Sequence, residues 1–284
     1  MAASYWESSQ RRFWTFSREQ LDNVRQKLEE EDQNLVQSYP LPELRHLSFY
    51  FNQQIARLGK RLGVRQQAMA TAQLYLRRFY TKVEIRRTNP YLVIATAVYL
   101  AYFFSSDTSK LGECEFFLIS EMSSQMIVHH PYRTLTSLQG NFSLTQEESA
   151  LAWSIINDHY MTDLPLLYAP HIIAVMAILL ALVLRPNTTG IQSASNSASN
   201  IATAAQAALN SASQPRPATG DRQSGPRTKV QKLANWLAES NIDIEGIVNC
   251  TQEMISFYEF QEQYNEKHTR EQINRFVKAR GLDK

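Results

Sequence analysis

Two stretches of this chain are apolar almost all round, and each is entered through a proline: Asn89-Pro90 leads into residues 91–104, and Ala169-Pro170 into 171–184. A helix with no polar face has to sit among other elements. Each run is preceded by an amphipathic stretch, and the intervals 80–90 and 160–170 are equal. An oily central helix with an amphipathic helix before it, twice, about eighty residues apart, predicts a duplicated helical unit. The second run also has to be weighed as a membrane span, because residues 164–184 carry no formal charge. Pro165, Pro170 and His171 interrupt it, and the uninterrupted part, 172–184, has the length of a buried core helix. No membrane insertion is expected.

The remaining periodicity agrees with an all-α fold. Leu47, Phe51, Ile55, Leu58 and Leu62 advance by three or four residues and share one helix face, with Pro42 placed to suit the first turn. Ala68, Ala72, Tyr75, Leu76 and Phe79 do the same, opposite Arg77 and Arg78. Asn89-Pro90 reads as a cap followed by a residue whose missing N–H costs nothing at a helix start. Further amphipathic helices are expected through Cys114 to Met122, through Ala152 to Tyr160, through Val230 to Leu237, through Ile244 to Phe257, and over about 269–280. Residues 187–227 are dominated by Ser, Ala, Asn, Gln and Thr, a composition that cannot build a core, and are expected to be a disordered insertion.

Charge and cysteine usage exclude some functions. The net charge of +2 is too small to argue for nucleic acid, which is held by many phosphate contacts. Residues 1–90 are locally basic, with 15 Lys or Arg against 9 Asp or Glu. Solvated helix faces explain that better than a binding patch. Cys114 and Cys250 fall within helical apolar patterns and read as core residues of a reducing compartment; the start of the chain has no apolar segment of the kind a signal peptide needs.

No catalytic constellation stands out. There is no Gly-rich phosphate loop, Gly-x-Ser-x-Gly turn, kinase signature or Cys-x-x-Cys pair. Asp158 and Asp163 flank His159, but helical neighbours one apart point about 100° away from each other, so structural or capping roles are expected. His129 and His130 lack further ligands nearby, and neither a metal nor a cofactor is expected. Trp6, Phe13, Trp14 and Phe16 precede the first confident helix in a segment too polar for a core of its own. They either dock on the chain's own helices or anchor a partner.

Several motifs together resemble the cyclin C family, in its branch of fungal cyclin-like subunits of the RNA polymerase II holoenzyme. They are Tyr5-Trp6-Glu7-Ser8-Ser9-Gln10, Arg65-Gln66-Gln67-Ala68, Arg78-Phe79-Tyr80, Asn89-Pro90-Tyr91-Leu92, Leu111-Gly112-Glu113-Cys114-Glu115-Phe116, Val128-His129-His130-Pro131-Tyr132-Arg133, Ala150-Leu151-Ala152-Trp153 through Asp158, and Asp163-Leu164. The match runs nearly end to end outside the insertion. It implies two cyclin boxes in tandem: an N-terminal segment with a helix over 1–40, a first box over 41–127, a second over 128–260 that carries the insertion, and a C-terminal helix in 261–284.

It further implies a non-catalytic subunit of the mediator kinase module. Such a subunit works in the nucleus, binds and activates a cyclin-dependent kinase that phosphorylates the polymerase's C-terminal domain, and contacts other mediator subunits. The outcome is regulation of transcription, often repression. A cyclin activates by holding the kinase helix that carries the glutamate of the Lys–Glu ion pair.

One departure stands out. Family members continue after the equivalent of Tyr99-Leu100-Ala101 into a further segment and a fourth helix, whereas here the chain passes straight to Leu111. The first box is therefore expected to lack its fourth helix. By the match, Phe103 takes the place of the family's kinase-binding lysine, while Glu115 keeps the glutamate that works beside it. The implied kinase-binding residues are Glu115, Phe103, Tyr99, Trp6 and Trp14. Two alternatives accompany this reading: a shortened variant with impaired kinase binding, and a cyclin-fold transcription factor that contacts DNA through the basic residues between Lys60 and Arg87, although direct nucleic-acid contact is not expected.

Overall fold

The computed structural model describes residues 4–102, 109–184 and 226–282. Among the described residues every regular element is helical. The helices are α1 (Ser9–Phe13), α2 (Arg18–Glu31), α3 (Gln33–Ser38), α4 (Leu44–Arg61), α5 (Gln66–Phe79), α6 (Pro90–Tyr102), α7 (Ser109–Glu121), α8 (Tyr132–Gln139), α9 (Gln146–His159), α10 (Leu164–Leu167), α11 (Pro170–Val183), α12 (Pro226–Glu239), α13 (Ile244–Gln263) and α14 (Glu266–Ala279). Phe103 and all but the last two residues of the expected insertion lie outside the described residues.

The duplication is visible in the helix bounds themselves. α5 and α9 are both 14 residues long, and each is followed by a connector with one short helical turn, Ile85–Arg87 or Leu164–Leu167, before a helix that opens on proline. Asn89 caps α6, its Oδ1 accepting from the Tyr91 amide at 3.0 Å. Ala169, with no side-chain acceptor, precedes α11 in an extended conformation, and Pro170 alone presets the first turn.

The chain divides into two compact units that do not follow chain order: residues 1–130 with 160–167 and 264–284, and residues 131–159 with 168–263. In the second unit α11 is the central rod, buried from Ile172 through Leu182 and packed against α8, α9, α12 and α13. Burying each of its larger aliphatic side chains contributes about 1.5–3 kcal/mol, and this is why a sequence with no polar stripe still folds as one helix of a bundle. No helix among the described residues is long and apolar enough to cross a membrane.

In the first unit α6 packs against α4, α5 and α7. Its core gathers Phe51, Ile55, Leu76, Phe79, Val93, Ala97 and Leu118, joined by Trp14 from the N-terminal segment and by Ile273 and Phe276 from α14. The central helix of the second unit is thus surrounded by four others, and that of the first touches three of its own repeat. The place of α12 has no counterpart between α6 and α7 among the described residues.

Two local readings change. α4 starts at Leu44 with Glu43 as its cap, so Pro42 lies just outside the first turn. α8 was not expected: its eight residues hold only Tyr132, Leu135 and Leu138 as large apolar groups among Thr, Ser and Gln, too short a stripe to establish a period.

Candidate functional site

The surface that α6 and α7 build depends on which residues the core leaves over. Leu118 on α7 and Met122 just past its end turn inward and are fully buried, which puts the opposite positions outside: Phe116 is 77% exposed and Phe117 39%. Phe117 still stacks edge-on against Phe79, their ring centroids 5.4 Å apart, whereas Phe116 projects from the helix. Glu115 lies beside them, half-buried, with no ion-pair partner among the described residues. On α6, Tyr99 is also half-buried. Cys114 sits in the same turn, its thiol pushed up by burial and eased by a hydrogen bond with Thr96. With Glu113 exposed one turn before Phe116 and Phe117, this face carries carboxylates beside aromatic rings.

The N-terminal segment folds onto the first unit instead of standing free. The Gln10 carboxamide pairs with the backbone of His129, accepting from its amide at 2.7 Å and donating to its carbonyl at 3.3 Å. Trp14 is 3% exposed; its Nε1 donates to Gln125 at 2.6 Å, and the Arg78 guanidinium lies over its ring at 5.1 Å. Arg78 itself is fully buried, donates to the Gln125 carbonyl at 3.0 Å, and has its pKa pushed down to about 10 by burial. Trp14 is thus a core anchor with no free face for a partner. Trp6 differs: it is 56% exposed, with Arg11 over its ring at 5.2 Å.

A second polar node fixes the chain where the first unit takes up residues 160–167. Asp163 receives a bidentate pair of hydrogen bonds from Arg25, both 2.8 Å, and a further one from Arg77. Burial alone would raise the Asp163 carboxyl; the two guanidiniums outweigh it and hold the pKa at about 2. Nearby, His130 is depressed to about 4 by burial and by the positive charge of Arg78, so its ring is neutral. Thr71 donates its hydroxyl to the Gln67 carbonyl and must therefore accept from His130 Nε2 at 2.9 Å. His130 Nδ1 is left to accept from the Tyr160 hydroxyl at 2.5 Å.

The residues that invited an acid–base reading have structural partners. His159 is buried with Nδ1 against the Ile156 carbonyl, and Asp158 accepts from the Tyr258 hydroxyl at 3.1 Å within the second unit. Burial raises Asp158 to about 6. No group of His, Cys, Asp or Glu among the described residues could hold a metal ion. Half of the eight basic residues in that stretch are engaged within the fold, Arg77 with Asp163, Arg86 with Glu84, Arg87 with Asp32 and Arg78 by burial, whereas Lys60, Arg61, Arg65 and Lys82 are exposed.

A helical protein with two units, each wound about an apolar rod, has the architecture of a cyclin-type regulatory subunit. Its fold matches a chain of the CAK complex from Chaetomium thermophilum bound to ATP-gamma-S with a TM-score of 0.65 and 20% identity, covering 98% of this chain and 88% of that one. A chain of the yeast TFIIK complex matches with a TM-score of 0.58 and 16% identity, over 88% and 100%. In sequence the chain is 52% identical over 347 residues to the RNA polymerase II holoenzyme cyclin-like subunit of Neurospora crassa. It is 56% identical over 319 residues to that of Gibberella moniliformis and 53% over 307 to that of Aspergillus fumigatus. Each of the three alignments covers all of both proteins. No protein-family profile matches. The chain belongs to the family of RNA polymerase II holoenzyme cyclin-like subunits, a regulatory class and not an enzymatic one. These alignments are longer than the 284 residues of this chain, so the relatives carry residues that it lacks.

Proposed function

We propose that this chain is the cyclin of a mediator kinase module, that it works in the nucleus, and that it binds and activates a cyclin-dependent kinase acting on the C-terminal domain of RNA polymerase II. Transcription is thereby regulated, often repressed. The observation that carries this reading is the full-length identity above 50% to proteins named as cyclin-like subunits of the polymerase holoenzyme. The fold likeness to chains from CAK and TFIIK complexes supports the kinase as partner. The kinase contact is assigned to the α6–α7 face, with Glu115 and Tyr99 on it, and to Trp6 on the N-terminal segment; Phe103, the remaining residue that the resemblance implies, lies outside the described residues. Trp14, being buried, holds that segment in place. A carboxylate set among exposed aromatic rings suits an interface with an apolar centre and few charges. Other mediator subunits are further partners.

The test is co-purification from nuclear extract on the tagged chain, followed by an assay of kinase activity on a peptide of the polymerase's C-terminal repeat. A cyclin brings an active kinase with it, and Glu115→Ala lowers the yield; purification without any kinase contradicts the assignment. A second reading, a shortened form with weakened kinase binding, is favoured by the direct passage from α6 to α7 and by the exposure of Phe116. Under it the kinase is recovered only after the fourth helix of a relative is restored between α6 and α7.

A further inference from the structure

Residues 40–43 join α3 to α4 without helical structure, and against α14 they leave a cavity of about 210 Å³ within the first unit. Its walls are Tyr39, Pro40 and Leu41 on one side and Phe276 and Ala279 on the other. None of these residues belongs to the proposed kinase contact. The Tyr39 ring meets Phe276 edge-on at 6.1 Å between centroids and lies under the Arg280 guanidinium at 5.5 Å, while its carbonyl accepts from Arg86 Nε at 2.7 Å. Three contacts on one wall residue preform the pocket, which lowers the ordering cost of binding.

The polar part of the lining is lopsided. Ser38 and Gln272 are neutral, and Arg275 is the charged group among the lining residues. Arg275 is exposed and makes no ion pair among the described residues. Residues 266–280 carry Lys267, Arg270, Arg275, Lys278 and Arg280 against Glu266 and Glu271, and Glu266 is engaged by Arg57 at 2.5 Å. Glu271 and Glu43, the carboxylates nearest the lining in sequence, do not line the cavity, and Glu43 lies 3.9 Å from His46.

Apolar walls beside an unpaired cation select the occupant. At about 10–15 Å³ for each water-sized group, the space admits a whole aromatic side chain. Water finds few hydrogen-bond partners along Tyr39, Pro40, Leu41 and Phe276, so exchanging it for an apolar group is favourable. A basic partner is repelled by Arg275, Lys278 and Arg280, whereas a carboxylate next to the anchor meets Arg275. A nucleic-acid strand asks for many phosphate contacts, and the lining offers one cation. We infer that the α3–α4 connector and α14 form a docking pocket for an acidic segment of a partner polypeptide, which inserts one aromatic side chain flanked by Asp or Glu. No residue of this pocket is shared with the kinase assignment.

The test titrates the full chain with acetyl-Asp-Phe-Asp-amide, following the backbone amide of Leu41 and the methyl group of Ala279 by NMR. Both signals are expected to shift saturably. Acetyl-Asp-Ala-Asp-amide, which lacks the anchor, and acetyl-Lys-Phe-Lys-amide, which reverses the charge, are each expected to bind about tenfold weaker or more. Arg275→Gln is expected to weaken binding of the Asp-Phe-Asp peptide by about twofold to fivefold and not that of the Lys-Phe-Lys peptide. Ala279→Trp fills the cavity and is expected to abolish the Leu41 shift. Both positions are exposed, so both variants are expected to fold, and the peptide series needs neither. The inference is overturned if Asp-Phe-Asp gives no saturable shift, if the three peptides bind alike, or if either folded variant binds it as the parent does. It is also overturned if oligothymidylate moves the same signals at lower concentration than the peptide, which would make the face a nucleic-acid site.

Discussion

At the scale of single residues, two aspartates five positions apart carry opposite pH signatures. Asp163 is held at about 2 by Arg77 and Arg25, below its ordinary value near 4, so its contribution is complete above about pH 4 and is lost as the pH falls toward 2. Asp158 is raised to about 6, so the folded state binds its proton more tightly than the unfolded chain. Stability of the second unit therefore falls as the pH rises from about 4 to about 6 and stays lower above that. Denaturant titration at pH 7 should find Asp158→Asn more stable by roughly 1–2 kcal/mol, since Asn still accepts from Tyr258 but carries no buried charge. Asp163→Asn should destabilise by about 3–5 kcal/mol, because two part-buried guanidiniums lose their shared carboxylate, and should flatten the acid limb of the curve. The sequence showed both aspartates but neither sign, because that of Asp163 is set by Arg25 and Arg77, far off in the chain, and that of Asp158 by burial, which only the fold supplies. Trp14 is similar: composition leaves docking and presentation open, and only the fold places its ring under Arg78.

At the scale of elements, the central rods were legible because a proline-entered run without a polar face, too short once interrupted to span a membrane, has to be buried among other helices. The amphipathic helices α4, α5 and α9 followed from their period, whereas α8 was hidden by its shortness. The α6–α7 face was legible only through the motif match, since exposure of Phe116 depends on what packs beside α7. In the second unit α12 is pinned by an ion pair that no spacing rule reveals: Lys229 Nζ lies 2.8 Å from Glu148, whose carboxylate also accepts from the Thr145 amide at the start of α9. Both residues are buried, so Lys229→Met leaves a buried carboxylate unpaired. Hydrogen exchange should then show faster opening of α12, by a factor of about ten or more, with α4 to α6 unchanged. A cap substitution is milder: Asn89→Ala also loses the hydrogen bond to the Leu282 carbonyl and should lower stability of the first unit by about 1–2 kcal/mol in thermal unfolding.

At the scale of the whole molecule, the same unit occurs twice but is not equally complete. The second has four helices around α11; the first recruits Trp14 and α14 to its core, and among the described residues no counterpart of α12 stands between α6 and α7. That asymmetry leaves an aromatic face on α7, and the kinase assignment predicts that this face is where the partner binds. Hydrogen exchange on the purified chain, with and without the cyclin-dependent kinase, tests this most directly. The account predicts that protection on binding concentrates in α6 and α7 and at Trp6. Protection confined to the second unit, or none at saturating kinase, would contradict it.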